Sequence, residues 1–427
     1  MTNWREVKLG DVCIQITDGV HNTVRDDPNG EYYLLSCKNL KNGQIVIGKN
    51  ERKINLDTLQ SLRKRTKTAK GDVLLSSVGT IGETAIIKEN NSKYEFQRSV
   101  AFFKPNKNYI ASEFLFYSLN NNKSLLQHNA RGAVQQCLFI NSLKEFTISL
   151  PSLDIQKKIA EVLGTLDDKI ELNNKVNNNL EQQAQALFKS WFVDINETSQ
   201  NNEKFGYIPQ NAIVKKIGEL PVFITDYVAN GSFASLKENV TLYQNKNYAY
   251  FIRNTDLKSN SFEVYVDEHS YNFLSKSSLF GNEIIISNVG DVGSVFLCPK
   301  LDLPMTLGNN IIMLRAETGS YLGFYLYIWF KWSYGQELIQ GIKGGSAQPK
   351  FNKTDFKGLP VILPSQQQLK EFNEAVTPMF SKISQNQQES TRLAQLRDTL
   401  LPKLMSGEID VSDVNISADK SSFCGDK

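Results

Sequence analysis

The sequence repeats itself. Asp72-Val-Leu-Leu-Ser-Ser-Val-Gly79-Thr-Ile-Gly82 returns 211 residues later as Glu283-Ile-Ile-Ile-Ser-Asn-Val-Gly290-Asp-Val-Gly293. The same offset lays Ser99-Val-Ala-Phe-Phe-Lys104 on Asn310-Ile-Ile-Met-Leu-Arg315, and Phe114-Leu-Phe-Tyr-Ser-Leu119 on Tyr325-Leu-Tyr-Ile-Trp-Phe330. At an offset of 213, Ile148-Ser-Leu-Pro151-Ser152 falls on Val361-Ile-Leu-Pro364-Ser365, and Leu187 to Phe192 on Leu400 to Met405. Near the start the match is weaker: Leu9-Gly-Asp-Val falls on Ile217-Gly-Glu-Leu, and Ile14 to Asp18 on Val222 to Asp226. Ordered matches with a drift of a few residues are what a duplicated domain with loop insertions leaves behind, and the period is far too long for a solenoid.

Each copy reads as mixed strands and helices. Val73 to Val78 and Ile284 to Val289 are short apolar runs closed by Gly-x-x-Gly, which suits a strand entering a tight turn. A second buried strand follows Ser99, then a short amphipathic helix from Glu113 to Leu119; Tyr321 to Trp332 reads as a buried helix. Asn196 to Lys204 is polar and loop-like, the natural linker.

Each copy then ends in a helix of about 40 residues, roughly 60 Å long at 1.5 Å per residue. Ser152 and Ser365 stand at the N-cap positions, and Ser365 to Gln368 fits a capping box. Ile159, Leu163, Leu166, Ile170, Val176, Leu180, Ala184, Leu187 and Trp191 form one apolar stripe. Phe372, Val376, Met379, Ile383, Leu393, Leu400 and Leu404 form the other, so both helices carry a coiled-coil-like seam. Gly164-Thr165 and Thr377-Pro378 predict a kink or restart in each. With continuous helices packed antiparallel about a pseudo-twofold axis, Asn173 and Asn386 meet at the crossing; with a restart, Leu180 and Leu393 do. The predicted fold class is α+β: two similar mixed α/β domains separated by two long antiparallel helices. The boundaries are 1–150 and 195–363 for the domains, 151–194 and 364–408 for the helices, and 409–427 for a tail. Ile409 to Val414 is expected to dock on the first domain, with the rest disordered.

Several function classes drop out. The start lacks a basic segment leading into an apolar run, and no stretch approaches the roughly 18 apolar residues of a membrane span. Five scattered cysteines without a C-x-x-C pair suggest reduced thiols in the cytoplasm. There is no nucleotide-binding P-loop, since Gly341-Ile-Lys-Gly-Gly-Ser has the wrong spacing, and no catalytic loop of an adenine methyltransferase. His21, His128 and His269 are isolated in sequence and read as structural or surface residues. The chain is therefore expected to be non-catalytic, with no metal and no cofactor of its own.

Charge is unevenly spread. Residues 1–150 carry 21 Lys and Arg against 14 Asp and Glu, whereas 196–363 carry 15 against 15. Lys49 to Lys70 holds eight positive and two negative side chains, a density suited to phosphates or to a solvated face.

These motifs together resemble the DNA-specificity subunits of type I restriction–modification systems. Leu9-Gly-Asp-Val resembles the opening of a target recognition domain. Gly132-Ala-Val-Gln135-Gln136 and Gly345-Ser-Ala-Gln348-Pro349 resemble the family's glycine–glutamine loop. Leu150 to Ser152 with Gln156 to Ala160 and Leu187 to Phe192 resembles the central conserved region, and Leu400 to Gly407 the distal one. The resemblance spans essentially the whole chain. It departs where Gln366-Gln-Gln replaces Leu153-Asp-Ile, and in the neutral second domain.

The resemblance implies two recognition domains, each reading one half of a split asymmetric site in double-stranded DNA, with the helices setting the unread spacer. It implies two modification subunits using S-adenosylmethionine, and restriction subunits using ATP with Mg, as partners. Lys64, Arg65, Lys67 and Arg131 are expected on the DNA backbone, and Ser77, Thr80, Gln97, Arg98, Gln135 and Gln136 at base edges. Their counterparts in the second copy are Asn288, Asp291, Asn309, Asn310, Lys343, Gln348 and Lys350. The rival readings are a protein-interaction scaffold that never reads DNA, and an enzyme with an unfamiliar shared site.

Overall fold

The computed structural model describes residues 4–48, 50–90, 93–132, 136–194, 199–202, 206–209, 211–345 and 348–414. They fall into two units: Met1–Ile170 with Arg392–Lys427, and Glu171–Thr391.

The duplication is visible strand by strand. In the first unit a four-stranded antiparallel sheet runs Cys13–Asp18, Val100–Pro105, Val73–Ser76, Thr84–Ile86. In the second the order is Val222–Asp226, Ile311–Ala316, Ile284–Ser287, Val295–Leu297. A further strand pair is parallel in both: Tyr32–Leu35 beside Tyr94–Phe96, and Ala249–Ile252 beside Met305–Leu307. Every residue of Val73–Ser76 and of Ile284–Ser287 is buried. A strand covered on both faces reads as a continuous apolar run, which is why no alternation appears there in sequence.

The weak match near the start is also structural. Arg5–Lys8 pairs with Thr147–Leu150, and Ile213–Lys216 with Pro360–Leu363. The next residue donates its N–H to an equivalent carbonyl each time, Leu9 to Phe146 and Ile217 to Leu359, both at 2.9 Å. A Cβ on Gly10 would stand 3.1 Å from the Lys144 carbonyl, and one on Gly218 3.2 Å from the Lys357 Cβ. The glycine of this motif therefore admits a neighbouring short helix at close range.

Leu153–Phe192 and Gln366–Met405 are continuous helices of 40 residues. Of the kink or restart expected in each, the restart does not occur. Thr165 and Thr377 each donate a hydroxyl to the carbonyl four residues back, Glu161 at 2.8 Å and Asn373 at 2.6 Å. Gly164 and Pro378 weaken the local helix, but packing along its length holds it together. The capping box at Ser365 is present: its N–H donates to Gln368 Oε1 at 3.1 Å, and Gln368 N–H to Ser365 Oγ at 3.3 Å. Ser152 caps more loosely, with Ile155 N–H 3.5 Å from its hydroxyl.

Within the second unit the helices run antiparallel, Phe188 lying against Phe372 while Asn173 lies against Asn386. Asn173 and Asn386 are both buried. Asn173 Nδ2 donates to Glu389 Oε2 (2.8 Å), Ser390 Oγ (3.3 Å) and the Asn386 carbonyl (3.4 Å), while Asn386 Nδ2 donates to Asn177 Oδ1 (2.8 Å). Position 177 is to 390 as 173 is to 386, so the contacts of the two asparagines mirror each other across the seam. A buried amide network of this kind fixes register.

In the second unit the end of the seam is aromatic rather than aliphatic. Phe188 and Phe192 are buried against Tyr325 and Phe372 with centroids 5.2–6.5 Å apart, whereas Leu187 is only half-buried and Trp191 is exposed. Two neighbouring i, i+4 rows were available, and the domain core takes the row with the larger rings. In the first unit Ile159, Leu163, Leu404 and Val411 share one core with Phe103 and Phe114. The tail docks as expected, Lys158 Nζ also donating to the Ser412 carbonyl at 2.7 Å; 415–427 lie outside the described residues.

Two local expectations need correction. The helix Ser112–Asn121 is buried on nearly every side from Phe114 to Leu119 and is not amphipathic, because it sits between the sheet and the long helix. Part of the linker is a strand ladder, Ser199–Asn202 on Gly206–Pro209, which satisfies backbone groups that a loop would leave to water.

Candidate nucleic-acid interface

In both copies the Gly-x-x-Gly turn is held against the glycine–glutamine segment by the same hydrogen bonds. Arg131 and Cys137 exchange N–H···O bonds of 3.0 and 2.9 Å, closing one hairpin; Gly344 and Lys350 exchange bonds of 2.8 and 2.9 Å, closing the other. Each hairpin then bridges the turn, Cys137 to Val78 and Lys350 to Val289. Leu138 N–H donates to the Ser77 carbonyl (2.8 Å) and Phe351 N–H to the Asn288 carbonyl (3.0 Å). A third segment closes the cluster, Ser77 N–H donating to Ser99 (2.9 Å) and Asn288 N–H to Asn310 (3.1 Å). Gly79 and Gly290 both have φ of 77°, and Gly82 and Gly293 have 95° and 96°. These left-handed angles make the glycines turn-formers.

This convergence assembles much of the predicted set. In the first copy Thr80, Arg98, Arg131 and Gln136 are exposed around the cluster and Gln97 is half-buried. Gln135 lies outside the described residues. Ser77 is 3% exposed, so it does not present its hydroxyl to a ligand; its backbone is engaged on both sides and the side chain packs inward. In the second copy Asp291, Asn309, Asn310, Lys343, Gln348 and Lys350 are exposed. Asn288 is instead a brace, its Nδ2 donating to the Phe351 carbonyl at 3.3 Å. Asp291 is held by Lys258 at 2.5 Å and by the Ser294 hydroxyl. Burial works to raise its carboxyl, but the bonds from Lys258 and Ser294 prevail and hold it below the usual carboxylate range.

The basic run resolves into the helix Leu56–Thr66, capped by the Asn55 side chain on Thr58 N–H at 2.9 Å. Lys64 and Arg65 are exposed in its last turn, and Lys67 ends it at φ 48°. Arg65 reaches Asp18, its Nη2 on the carboxylate and Nε 3.3 Å from the carbonyl. His21 Nε2 lies 2.7 Å from the same carboxylate and 3.4 Å from Arg65 Nη2. Two residues on, the Val20 carbonyl accepts Arg98 N–H at 3.0 Å, which places this group beside the cluster. Asp18 is not singled out by the sequence and His21 reads there only as a structural or surface residue, because their partner Arg65 lies more than 40 positions away.

Among the described residues no group of three or more His, Cys, Asp and Glu side chains is arranged to hold a metal ion, and no helix is long and apolar enough to cross a membrane.

Comparisons with known proteins agree with this duplicated architecture. The chain is 27% identical over 402 residues to the type I restriction enzyme MjaIX specificity subunit of Methanocaldococcus jannaschii, covering 90% of this chain and 88% of that one. It is 25% identical over 473 residues to the HindI specificity subunit of Haemophilus influenzae, covering 96% and 100%. The crystal structure of a type I restriction-modification S subunit from M. genitalium shares the fold, with a TM-score of 0.50, 17% identity and coverage of 94% and 96%. The profile of the Type I restriction modification DNA specificity domain matches twice, at residues 1–182 and 197–395, and the chain belongs to that family.

Proposed function

We propose that this chain is the DNA-reading subunit of a type I restriction–modification complex, each copy reading one half of a split, asymmetric site. Family membership carries the coarser statement, a non-catalytic role in DNA sequence specificity. The finer reading is supported by one observation above all: both copies hold a turn and an exposed hairpin together by matching hydrogen bonds. Their exposed side chains differ, with Arg131 and Gln136 in one and Gln348 and Lys350 in the other. Equal scaffolds with unequal tips suit two half-sites of different sequence.

Residues 1–150 and 195–363 are the two recognition domains, and the paired helices set the spacer. A fixed spacer makes two modest half-site affinities into one strong, length-sensitive event. The partners are double-stranded DNA, two modification subunits that bring S-adenosylmethionine, and restriction subunits that bring ATP with Mg. Selection of random duplexes by the chain assembled with its modification subunit should return a two-part motif. Recovery of duplexes without any shared motif would favour the scaffold reading.

A further inference from the structure

The carboxylate that ends the first strand of the four-stranded sheet carries a cation in both copies. Asp18 ends Cys13–Asp18 and holds Arg65; Asp226 ends Val222–Asp226 and takes Lys353 Nζ at 3.0 Å. The two strands pair with equivalent neighbours, so the acids occupy one position in the fold. The cations do not. Arg65 comes from the last turn of a helix, whereas Lys353 follows the second glycine–glutamine hairpin. Two unrelated segments thus deliver positive charge to one place.

The exposures say what each partner does. The Asp18 and Asp226 side chains are 17% and 14% exposed, while Arg65 and Lys353 keep 51% and 30%. The acid is the mostly covered, orienting partner, and the cation retains N–H donors toward solvent. A second basic or imidazole residue lies on a neighbouring segment in each copy. His21 shares Asp18 in the first. In the second, Lys276 lies 211 residues after Arg65 and is exposed; its N–H donates to Asn230 Oδ1 at 3.1 Å, in the short 3-10 segment that Asp226 caps.

We propose that these are a matched pair of phosphate anchors for duplex DNA, Arg65 with His21 on Asp18 and Lys353 on Asp226, with the exposed Lys276 on a neighbouring segment. The proposal rests on the DNA-reading function above. It explains how the second domain, with 15 charges of each sign, grips a polyanion: locally placed cations suffice where the domain's net charge does not help. Phosphate anchoring is independent of sequence, so random DNA is the right probe.

The test measures binding of the full chain to a fluorescent random-sequence duplex of ~40 bp across a salt series. Arg65→Gln and Lys353→Gln should each weaken binding roughly fivefold at physiological salt and lower the log–log salt slope by about one, and the double variant by about two. Arg65→Lys and Lys353→Arg should keep the slope, which a purely structural role would not require. Glutamine variants that retain the wild-type slope overturn the anchors while leaving DNA reading intact. A wild-type chain without salt-dependent DNA binding overturns both.

Discussion

Asn173→Ala would remove a buried amide that makes three contacts across the helix seam: 2.8 Å to the Glu389 carboxylate, 3.3 Å to Ser390 and 3.4 Å to the Asn386 carbonyl. The first is charge-assisted and worth about 1.5–3 kcal/mol net; the other two are long, and together add about 1 kcal/mol at most. The loss should therefore be about 2–3 kcal/mol. Because a chain of two units need not unfold in one step, the cost is best read locally. Hydrogen exchange at amides 171–180 and 383–391 should accelerate roughly 30-fold or more, the equivalent of about 2 kcal/mol. Asn386→Ala loses one neutral bond, to Asn177, and should cost about 1 kcal/mol. Since the two asparagines touch, the double variant should depart from additivity by at least about 0.5 kcal/mol. Unchanged protection in both stretches of Asn173→Ala would refute the register role.

Gln136→Ala and Gln348→Ala should each weaken cognate DNA binding by about 1–3 kcal/mol without changing thermal stability, and normal binding by both would remove the hairpins from the interface. Gly290→Ala, at φ 77° with open space for its Cβ, should cost about 1 kcal/mol in denaturant unfolding. Gly19→Ala should cost several times more, because its Cβ would stand 2.1 Å from the Phe96 carbonyl; equal costs would contradict the close-approach argument. Burial pushes the Glu95 carboxyl above its usual range, outweighing bonds from Thr68, Phe96 N–H and Thr66 and the charge of Arg63. The folded state then holds this proton to higher pH than the unfolded state, so wild-type stability falls relative to Glu95→Gln as pH rises from 4 toward 7. A Tm difference that shrinks over that range would reverse the sign of the argument.

The parts legible in the sequence are those where the copies kept equal loop lengths. From residue 73 to 105 every strand returns at 211, and both long helices return at 213, so elements and pairing followed from alignment alone. Between Asp18 and Val73, and between Asp226 and Ile284, the copies diverge. There the first has the basic helix Leu56–Thr66, while the second has Phe233–Asn239, Asn254–Ser259 and Glu268–Phe273. At an offset of 212 the basic helix falls on Glu268–Phe273, which is five residues shorter and carries none of its Lys and Arg residues, so the match is lost in the sequence. Side-chain direction was the second blind spot. Ser77 looks like a polar loop residue, yet its buried side chain could be foreseen only with the hairpin that covers it. Phe188 and Phe192 sit one residue past the chosen stripe, a 100° turn that periodicity cannot decide when both rows are apolar. The Asp18–Arg65 contact spans 47 positions, and only the folded chain brings it together.

The central claim, that the helices measure a spacer between two half-sites, is most directly tested by mapping DNA methylation in cells. The chain would be expressed with its modification subunit, with and without a second Asn-Asn-Lys-Val inserted after Val176. The insertion repeats residues 173–176 and lengthens one helix by roughly 6 Å, a little over one turn. Adenine methylation at a two-part motif whose spacer lengthens in the insertion strain is the predicted result. The same spacer in both strains, or methylation without a two-part motif, would contradict it.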